Sequence, residues 1–351
     1  MQAPTQILDA SQEAHILEAV SILRSGGVVA LPTETVYGLA ANAFSLLGVQ
    51  KVFAAKLRPQ NNPLIWHTHN QESARNLFNF ANFSETSKRR FNLLAETFWP
   101  GPLTMVAAKS GFVGGHVNLD TIAVRVPRCE FTLKILRLLN LPLVMPSANI
   151  SSRPSPTCSN HVLKTLRGRI DAVVDAGVCE VGIESTVLRI DQEAISILRP
   201  GAISAKMLEK ILGEPVLDYN SRNKSHLDEL ASPGLAFRHY APRVDKILLI
   251  KPEELETYWH TNSSLIACKN DISQAEKAWK KRFSKALTCA LPDAPELFAA
   301  NIYDALYKAE ERPYESLVIV MPKKAWEAYL DPESVWGAVF DRLRRSAGYE
   351  L

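Results

Sequence analysis

The sequence has 351 residues, of which 46% are hydrophobic and 22% charged, a composition typical of globular proteins with sizeable apolar cores. This length favours two domains over one. With a formal net charge of only +3, the molecule as a whole does not bind nucleic acid through its overall charge. Such binding would need a local basic patch. No apolar run approaches the ~20 residues that span a bilayer, and we expect no secretory signal in the first ten residues.

The five cysteines are scattered singly along the chain, at positions 129, 158, 179, 268 and 289. None belongs to a CxxC pair, so the sequence indicates neither a disulfide framework nor a zinc site. The histidines show no HExxH or other two-histidine ligand spacing. We therefore expect a cytoplasmic protein without a metal site of its own.

Residues 1–212 predict one mixed α/β domain with many short strands. A helix is expected to start at Asp9, which Gln12 follows three residues later, and to end at Gly26 and Gly27. Its apolar stripe consists of Ile16, Leu17, Val20 and Leu23. A buried strand is expected at residues 28–31, a helix at residues 49–57, and further strands at residues 63–66, 103–107, 122–126 and 143–145.

Residues 213–243 break this pattern. They combine prolines and polar residues with little apolar periodicity, which is typical of a linker. Residues 232–242 also hold an arginine, a histidine and a tyrosine, so this segment is either a lid over a pocket or a solvated tether. Residues 244–351 alternate strand and helix, which predicts a small open parallel sheet with helices on its faces.

Motifs for covalent catalysis are missing from the sequence, which has no GxSxG elbow, Walker loop or GxGxxG. Loops rich in proline, hydroxyl residues, asparagine and arginine follow several predicted strands instead. One of them, residues 31–39, holds Thr33, Thr35 and Tyr37 before Gly38, where we expect an unusual backbone conformation. This loop is either a cradle for a small amino acid or an ordinary turn.

Fixed cations occur at two places. Lys56 and Arg58 close a predicted helix, either as partners for a triphosphate or as the basic residues that helix C-termini favour. Arg125 shares a strand face with Thr121. If Arg125 is buried it needs a partner, such as a ligand carboxylate, and the alternative is an edge-strand arginine in solvent.

Ten short motifs occur in one order along the chain. They are PTETVYGL, KLRP, NPLIWH, WPGPLT, TIAVRVP, PSAN, RPSPT, ESTV, LRPG and SPGLAFRHYAP. In this order they resemble the long form of the threonylcarbamoyl-AMP synthase family. The resemblance implies a YrdC-like N-terminal domain with a mixed, twisted α/β sheet and a ligand-binding cleft, a linker or lid at residues 213–243, and a small Rossmann-like parallel-sheet domain at residues 244–351. That last domain has no catalytic signature, and we infer only that it supports the linker.

The resemblance also implies the activity. Members of this family are nucleotidyltransferases that make threonylcarbamoyl-AMP and pyrophosphate from L-threonine, bicarbonate or CO₂ and ATP. The product serves the threonylcarbamoyl-adenosine modification of tRNA next to the anticodon. We therefore expect the tRNA threonylcarbamoyl-transferase machinery as the downstream partner, no membrane association, and Mg²⁺ that arrives with ATP.

Site residues carry over from the family motif by motif. Threonine is expected to contact Thr35, His67, Arg125, Ser185 and the backbone of Met145, with Arg125 at its carboxylate. ATP is expected to contact Lys56, Arg58, Asn62, Thr121, Ser147, Asn149, Ser155 and Arg199, with Tyr240 reaching in from the linker. Lys56 and Arg58 are the expected catalytic cations. Ser152 departs from the family, in which glycine is common at this position.

Two other functions fit parts of the sequence. YrdC-like domains resemble double-stranded-RNA binders, and weak RNA binding could use a basic surface of Lys56, Arg58, Lys88, Arg89, Arg90 and Arg125. Single arginines among hydroxyls, however, suit a small anionic ligand better than a phosphate track. A carbamoyl-transferring maturation enzyme uses the same domain with carbamoyl phosphate, but normally adds zinc-finger-like cysteines and an acylphosphatase segment, which this sequence lacks.

Overall fold

The computed structural model describes residues 4–113, 119–217, 239–259, 263–279, 288–311, 314–328 and 334–348. Two separate sheets organise these residues, a large mixed sheet in the N-terminal domain and a small parallel sheet in the C-terminal domain. This confirms the predicted α/β class and the two kinds of sheet. Within the described residues, no helix combines the length and apolar character needed to cross a membrane.

The larger sheet is mixed. Its strands are β1 (Gln6–Asp9), β2 (Val29–Leu31), β3 (Gly38–Asn42), β4 (Trp66–His67), β5 (Leu103–Ala108), β6 (Thr121–Arg125), β7 (Leu143–Val144), β8 (Ala172–Asp175), β9 (Thr186–Ile190) and β10 (Ile195–Arg199). They lie in the order β1-β8-β2-β3-β7-β4-β6-β5-β9-β10. Because β4 and β6 run parallel with His67 opposite Arg125, these two last residues of their strands lie side by side.

The helices of the N-terminal domain cover the faces of this sheet. They are α1 (Glu13–Arg24), α2 (Leu46–Lys56), α3 (Gln71–Leu77), α4 (Glu85–Phe98), α5 (Glu130–Leu139), α6 (Ser159–Leu166) and α7 (Ala205–Leu212), with a 3-10 turn at Phe80–Asn82. Helix α1 buries residues at the spacing i, i+3, i+4 and i+7, namely Ile16, Ala19, Val20 and Leu23. Leu17 of the predicted stripe is 54% exposed, because one residue along a helix turns a side chain by about 100°.

The C-terminal sheet is parallel throughout. Its strands are β11 (Lys246–Ile250), β12 (Ser263–Cys268), β13 (Thr288–Leu291) and β14 (Ser316–Val320), in the order β11-β14-β12-β13. Its helices are α8 (Leu255–Tyr258, after a 3-10 turn at Pro252–Glu254), α9 (Lys269–Trp279), α10 (Pro295–Glu310), α11 (Lys323–Ala328) and α12 (Trp336–Ala347). Two hydrophobic clusters, one on each face of the sheet, contain residues of these helices, as a parallel sheet requires.

Two local expectations about the N-terminal domain are wrong. Asp9, expected to start the first helix, is the last residue of β1, and α1 has Gln12 as its N-terminal cap residue. Strand β1 leaves little signal in the sequence because Leu8 is its one buried residue. Gly38 lies within β3 and not at a corner of unusual conformation. Glycine is needed there for space instead, because a Cβ at position 38 would lie 2.9 Å from Met145 Cε and would clash with the methionine side chain.

Helix α10 joins the two domains by packing on the loop at residues 152–157. Tyr307 Oη donates to Pro154 O at 2.8 Å, and Glu310 forms an ion pair with Arg153. Gly182 lies so close to α10 that a Cβ would be 2.4 Å from Ala300 Cα. The C-terminal domain therefore does more than support the linker, because it packs directly on loops that carry predicted site residues.

Candidate active site

A cleft lies between the ends of β4 and β6, the loop after β7, the start of β9 and the linker. It holds about 520 Å³ of empty space, including the part that is open to solvent. The lining residues are Thr35, Val36, Arg58, Ile65, His67, Arg125, Met145, Pro146, Ser147, Glu184, Ser185, Arg199, His239 and Tyr240. Most of the predicted site residues are among them. We call Thr35, His67, Arg125 and Met145 the strand side of the cleft, and Arg58, Glu184, Arg199 and Tyr240 the linker side.

Arg125 organises the strand side. Its buried guanidinium donates from Nε to Gly101 O at 3.1 Å and from Nη1 to Thr35 Oγ1 at 2.9 Å, and Nη2 lies 2.8 Å from Glu34 Oε1. Burial raises the pKa of the Glu34 carboxyl, but the charge of Arg125 outweighs burial and the net pKa lies below its ordinary value. Arg125 is thus buried, not exposed, and the protein itself already supplies one carboxylate partner.

His67 is neutral. Burial, reinforced by the positive charge of Arg125, lowers its pKa to about 3. Its Nδ1 lies 3.2 Å from Ile65 O, and because a carbonyl can only accept, Nδ1 carries the ring proton. Nε2 therefore holds a lone pair that can accept a hydrogen bond from a ligand.

Met145 holds the loop after β7 against two neighbouring strands. Its N–H donates to Ile65 O at 3.0 Å, and Pro146 O accepts from Leu39 N at 2.7 Å. The Met145 side chain packs against Gly38, where a Cβ would clash. The motif glycine and the methionine therefore fit together, and the backbone of residues 145–147 borders the cleft.

Arg199 and Ser185 meet where the two sides of the cleft join. Arg199 Nη2 donates to Ser185 O at 3.0 Å and to Ser185 Oγ at 3.2 Å, and Ser185 Oγ also lies 2.8 Å from Thr104 Oγ1. A Cβ on Gly201 would lie 2.3 Å from Thr186 N, which explains the glycine of the LRPG motif. These contacts hold the start of β9 against the end of β10.

Arg58 is a cation held by neutral oxygens. It donates to Asn62 Oδ1 and O and, at 2.9 Å, to Pro63 O, and its side chain lines the cleft. Burial and the neighbouring Arg199 charge lower its pKa to about 10, so it remains charged at neutral pH. Asn62 is not among the lining residues but orients Arg58 by accepting two of its hydrogen bonds, and its predicted direct contact with ATP stays a prediction.

Lys56 lies beneath the PSAN loop and does not line the cleft. Its fully buried Nζ donates to Ser147 O, to Asn149 O at 2.7 Å and to Asn149 Oδ1 at 3.5 Å. Burial and the charge of Arg58 hold its pKa well below the ordinary value. In this arrangement Lys56 fixes the loop that presents Ser147, while its predicted contact with ATP stays a prediction.

Glu184 is a buried carboxylate that receives hydrogen bonds from both domains. Ser155 Oγ donates to it within the N-terminal domain, and Tyr303 Oη (3.0 Å) and Arg342 Nε (3.0 Å) donate from α10 and α12. Burial raises its pKa, but Arg342 and Arg199 outweigh burial and lower the value to about 2. Sequence reasoning missed this role: the ESTV motif contains Glu184, but its partners lie 119 and 158 residues further along the chain.

Tyr240 brings the linker into the cleft. It is 2% exposed and has a left-handed backbone with φ of 65°. Its ring centroid lies 4.2 Å from that of His239 and 5.7 Å from that of Tyr303, and burial raises the pKa of Tyr240 to about 12. Residues 239 and 240 of the linker thus line the cleft, whereas residues 218–238 lie outside the described residues, and the lid stays a prediction.

The remaining predicted residues lie away from the cleft or support it indirectly. Thr121 is at the opposite end of β6 from Arg125, paired with Ala108, and does not line the cleft. Ser155 and Asn149 contribute through Glu184 and Lys56. Their direct contacts with ATP stay predictions.

The basic surface considered for RNA does not form one exposed track. Lys56, Arg58 and Arg125 are buried in or below the cleft. The three cations of α4 form ion pairs, Lys88 with Glu85 and both arginines with Glu214. The arrangement therefore suits a small anionic ligand in a cleft better than a polyanion on a surface.

Two family models match the chain. One, described as "Telomere recombination", matches residues 21–201, and one described as "Threonylcarbamoyl-AMP synthase, C-terminal domain" matches residues 203–348. The threonylcarbamoyl-AMP synthase of Pyrococcus abyssi is 33% identical over 97% of this chain and 96% of its own length. That of Bacillus subtilis is 32% identical over 96% and 94%.

Solved structures agree with these matches. The crystal structure of the Pyrococcus abyssi protein Sua5 complexed with L-threonine is 32% identical, covers 98% of both chains and superposes with a TM-score of 0.83. A double-alanine variant of the same protein gives a TM-score of 0.81 at 30% identity, with 98% of this chain and 97% of that chain covered. With both domains matched over almost their whole length, the chain belongs to the threonylcarbamoyl-AMP synthase family of nucleotidyl-transferring enzymes.

Proposed function

We propose that the protein forms threonylcarbamoyl-AMP and pyrophosphate from L-threonine, bicarbonate or CO₂ and ATP, for threonylcarbamoyl-adenosine modification of tRNA in the cytoplasm. The observation that carries this proposal is the cleft itself, where three buried arginines (Arg58, Arg125 and Arg199) surround hydroxyl groups and a neutral histidine. Fixed guanidinium groups in a partly dry cleft match the charge of carboxylates and phosphates. The L-threonine complex of the Pyrococcus abyssi relative supports the amino-acid substrate.

Threonine is proposed to bind at the strand side. Arg125 would attract the substrate carboxylate while it continues to orient the Thr35 hydroxyl. His67 would accept a hydrogen bond at Nε2 from the substrate hydroxyl or ammonium group. With a pKa of about 3, His67 is too weak a base to take up the ammonium proton, so we assign it to binding and orientation.

The chemistry needs no covalent enzyme intermediate. The threonine amine adds to the carbon of CO₂ and loses a proton, which gives a carbamate. A carbamate oxygen then bonds to the α-phosphorus of ATP in line while the bond to the pyrophosphate oxygen breaks. Such transfers depend chiefly on positioning and charge stabilisation, which Arg58 and Arg199 would supply at the phosphates.

Mg²⁺ is proposed to enter as part of the ATP substrate. Among the described residues, no group of three or more His, Cys, Asp or Glu side chains is arranged to hold a metal ion. Glu184, the carboxylate in the cleft lining, is already bonded to Ser155, Tyr303 and Arg342. The chain's own contribution to the phosphates would therefore come from its arginines, with Tyr240 covering the cleft.

The test is threonine-dependent pyrophosphate release. Purified protein is incubated with ATP, Mg²⁺ and bicarbonate, with and without L-threonine, and the adenylate product is identified by mass spectrometry. Release that needs both threonine and bicarbonate supports the proposal, and folded protein without such release contradicts it. Arg58→Ala should slow release about 100-fold, whereas the control Arg137→Ala, at a half-exposed site on α5, should leave it unchanged. Equal activity of the two variants would refute the proposed role of Arg58.

A further inference from the structure

Two hydroxyl groups of the PTETVYGL motif lie next to each other at the strand side of the cleft. Thr33 Oγ1 and Thr35 Oγ1 are 2.8 Å apart, and both side chains are buried. Thr35 lines the cleft, whereas Thr33 borders a different cavity. Thr33 is thus not one of the lining residues, but it is in direct contact with one of them.

The hydrogen of the Thr33 hydroxyl has a defined acceptor. Thr33 Oγ1 lies 2.6 Å from Val36 O, and because a carbonyl can only accept, Thr33 is the donor in this contact. The same oxygen accepts from the backbone nitrogens of Thr35 and Val36, each at 3.2 Å. A hydroxyl has only one hydrogen to donate, so Thr33 can only accept in its contact with the Thr35 side chain.

The Thr35 hydroxyl is therefore the donor towards Thr33. Arg125 Nη1 also donates to Thr35 Oγ1, at 2.9 Å. These two contacts use the hydrogen of the Thr35 hydroxyl and one of its two lone pairs. What Thr35 offers to the cleft is its remaining lone pair, which is an acceptor and not a donor.

His67 presents the same kind of group to the cleft. Its Nδ1 carries the ring hydrogen that faces Ile65 O, so Nε2 is an acceptor. Burial and the charge of Arg125 keep this ring neutral by lowering its pKa to about 3. The strand side thus combines a guanidinium, which suits a carboxylate, with two uncharged acceptors, which suit N–H and O–H donors. L-Threonine carries all of these groups.

We propose that Thr33 is a positioning residue for the amino-acid substrate: by taking the hydrogen of the Thr35 hydroxyl, it makes Thr35 an acceptor for an N–H or O–H group of the substrate. This inference rests on the proposed threonine site at the strand side. Without the Thr33 oxygen, the Thr35 hydrogen loses its acceptor, and Arg125, which can only donate, does not replace it. The hydrogen then turns into the cleft, where it opposes the donors of the substrate.

The test is a double-mutant cycle on threonine affinity. Calorimetry without ATP measures the dissociation constant of L-threonine for wild type, Thr33→Val, Thr35→Val and the double variant. Thr33→Val should weaken binding about tenfold in the wild-type background and less than about twofold when Thr35 is already valine, because Thr33 acts through the Thr35 hydroxyl. The same loss in both backgrounds would show that Thr33 only supports the loop, and the proposal would be wrong.

Two further variants separate the Thr33 oxygen from the rest of the side chain. Thr33→Ser keeps the hydroxyl and should bind threonine within about twofold of wild type. Thr132→Val is the matched control, since the buried Thr132 hydroxyl donates to Pro32 O, beside Thr33 in the same loop. It removes a hydroxyl that supports this loop and should also stay within about twofold of wild type. If Thr33→Ser binds threonine as weakly as Thr33→Val does, the hydroxyl is not responsible and the proposal fails.

A second amino acid identifies the substrate group that Thr35 contacts. L-α-Aminobutyrate lacks only the hydroxyl of threonine. A loss on Thr33→Val that is confined to threonine assigns the substrate O–H to Thr35, and an equal loss for both ligands assigns the N–H.

The outcome for the wild-type protein distinguishes this inference from the proposed function. Wild type that binds no threonine contradicts both, whereas wild type that binds threonine and shows no coupling between Thr33 and Thr35 contradicts the role of Thr33 alone. If Thr33→Val does not fold, Thr33→Cys takes its place in the cycle. A thiol accepts weakly, so a smaller loss is expected, and this loss should again disappear when Thr35 is valine.

Discussion

The two sides of the cleft depend on different parts of the molecule. On the strand side, Arg125 is held by Glu34, Thr35 and Gly101, all within the N-terminal domain. On the linker side, Glu184 is held by Tyr303 and Arg342 of the C-terminal domain. The amino-acid half of the proposed site is therefore complete within one domain, whereas the phosphate half needs both.

This difference assigns a use to the C-terminal domain. Each side contains a buried carboxylate paired with a buried arginine, and removal of one partner from such a pair leaves an uncompensated charge. The strand-side pair can form as soon as the N-terminal domain folds. The linker-side pair couples domain docking to the geometry around Arg199 and Tyr240. Mutations at the domain interface should therefore weaken the use of ATP more than they weaken threonine binding.

The largest effect is expected from Arg342→Met. The change leaves Glu184 buried without its guanidinium, and the free energy of unfolding should fall by about 3–5 kcal/mol. Urea unfolding measures this loss, and threonine affinity should change little in the protein that remains folded. The double variant Glu184→Gln/Arg342→Met should recover most of the stability. A double variant as unstable as the single one would show that packing, not charge, is what Arg342 provides.

Arg58→Ala should separate the two sides functionally. Loss of a fixed cation at the phosphates is expected to lower kcat/KM for ATP about 100-fold, which corresponds to about 2.7 kcal/mol. Threonine affinity, measured by calorimetry without ATP, should stay within a factor of two or so of wild type because Arg58 contacts no strand-side residue among its hydrogen bonds. Equal losses for both substrates would mean that the cleft behaves as one unit.

The two histidines that line the cleft should make the free energy of unfolding depend on pH. We expect the same dependence from each of them. His67 and His239 each have a folded pKa of about 3, lowered mainly by burial, against an ordinary value of 6.5. Between these values the unfolded chain binds protons that the folded protein does not. Stability is therefore full above pH 6.5 and is lost as the pH falls, by about 2 kcal/mol per histidine at pH 5.

Denaturant unfolding at pH 7 and pH 5 measures this loss. His67→Gln and His239→Gln should each remove about half of the difference between the two pH values, relative to wild type. His161, whose pKa is raised, acts in the opposite direction, because its contribution is lost as the pH rises above 6.5, and it therefore partly offsets the difference between pH 7 and pH 5. A pH dependence that survives in the double variant would assign it to other groups.

The smallest expected effect concerns Ser152, whose carbonyl accepts from Ala241 N at 2.9 Å and so ties the linker to the RPSPT loop. Ser152 has a left-handed backbone with φ of 69°, which disfavours any residue with a side chain. Ser152→Gly should raise the free energy of unfolding by about 1 kcal/mol. The thermal midpoint measures the gain, and Ser151→Gly, one residue earlier, is the control that should give none.

Much of the fold follows from local sequence patterns. The helix at residues 13–24 and the alternation of strand and helix after residue 244 are visible from their hydrophobic periods, whereas the capping signal placed the start of that helix too early, at Asp9. Strand β1 and helix α11 escaped prediction, since a short edge strand and a six-residue helix leave little periodic signal. Family motifs predicted most of the residues that line the cleft.

The contacts within the site could not be predicted in the same way. Lys56 and Arg58 are two residues apart with the same charge, yet one holds a loop and the other faces the cleft. That distinction depends on how the PSAN loop folds over Lys56. Glu184 and His161 have partners in the C-terminal domain that lie more than 100 residues further along the chain, and no local pattern records such a contact.

The distance along the chain between Glu184 and Arg342 also sets an order of events during synthesis. The two residues are separated by 158 positions, which a ribosome adds in about 8–30 s at the usual 5–20 residues per second. For that interval the emerging N-terminal half has its strand side but an unbalanced carboxylate on its linker side. A nascent chain could thus fold early enough to bind an amino acid and still be unable to hold a nucleotide, so adenylate formation would begin only once translation has passed Arg342.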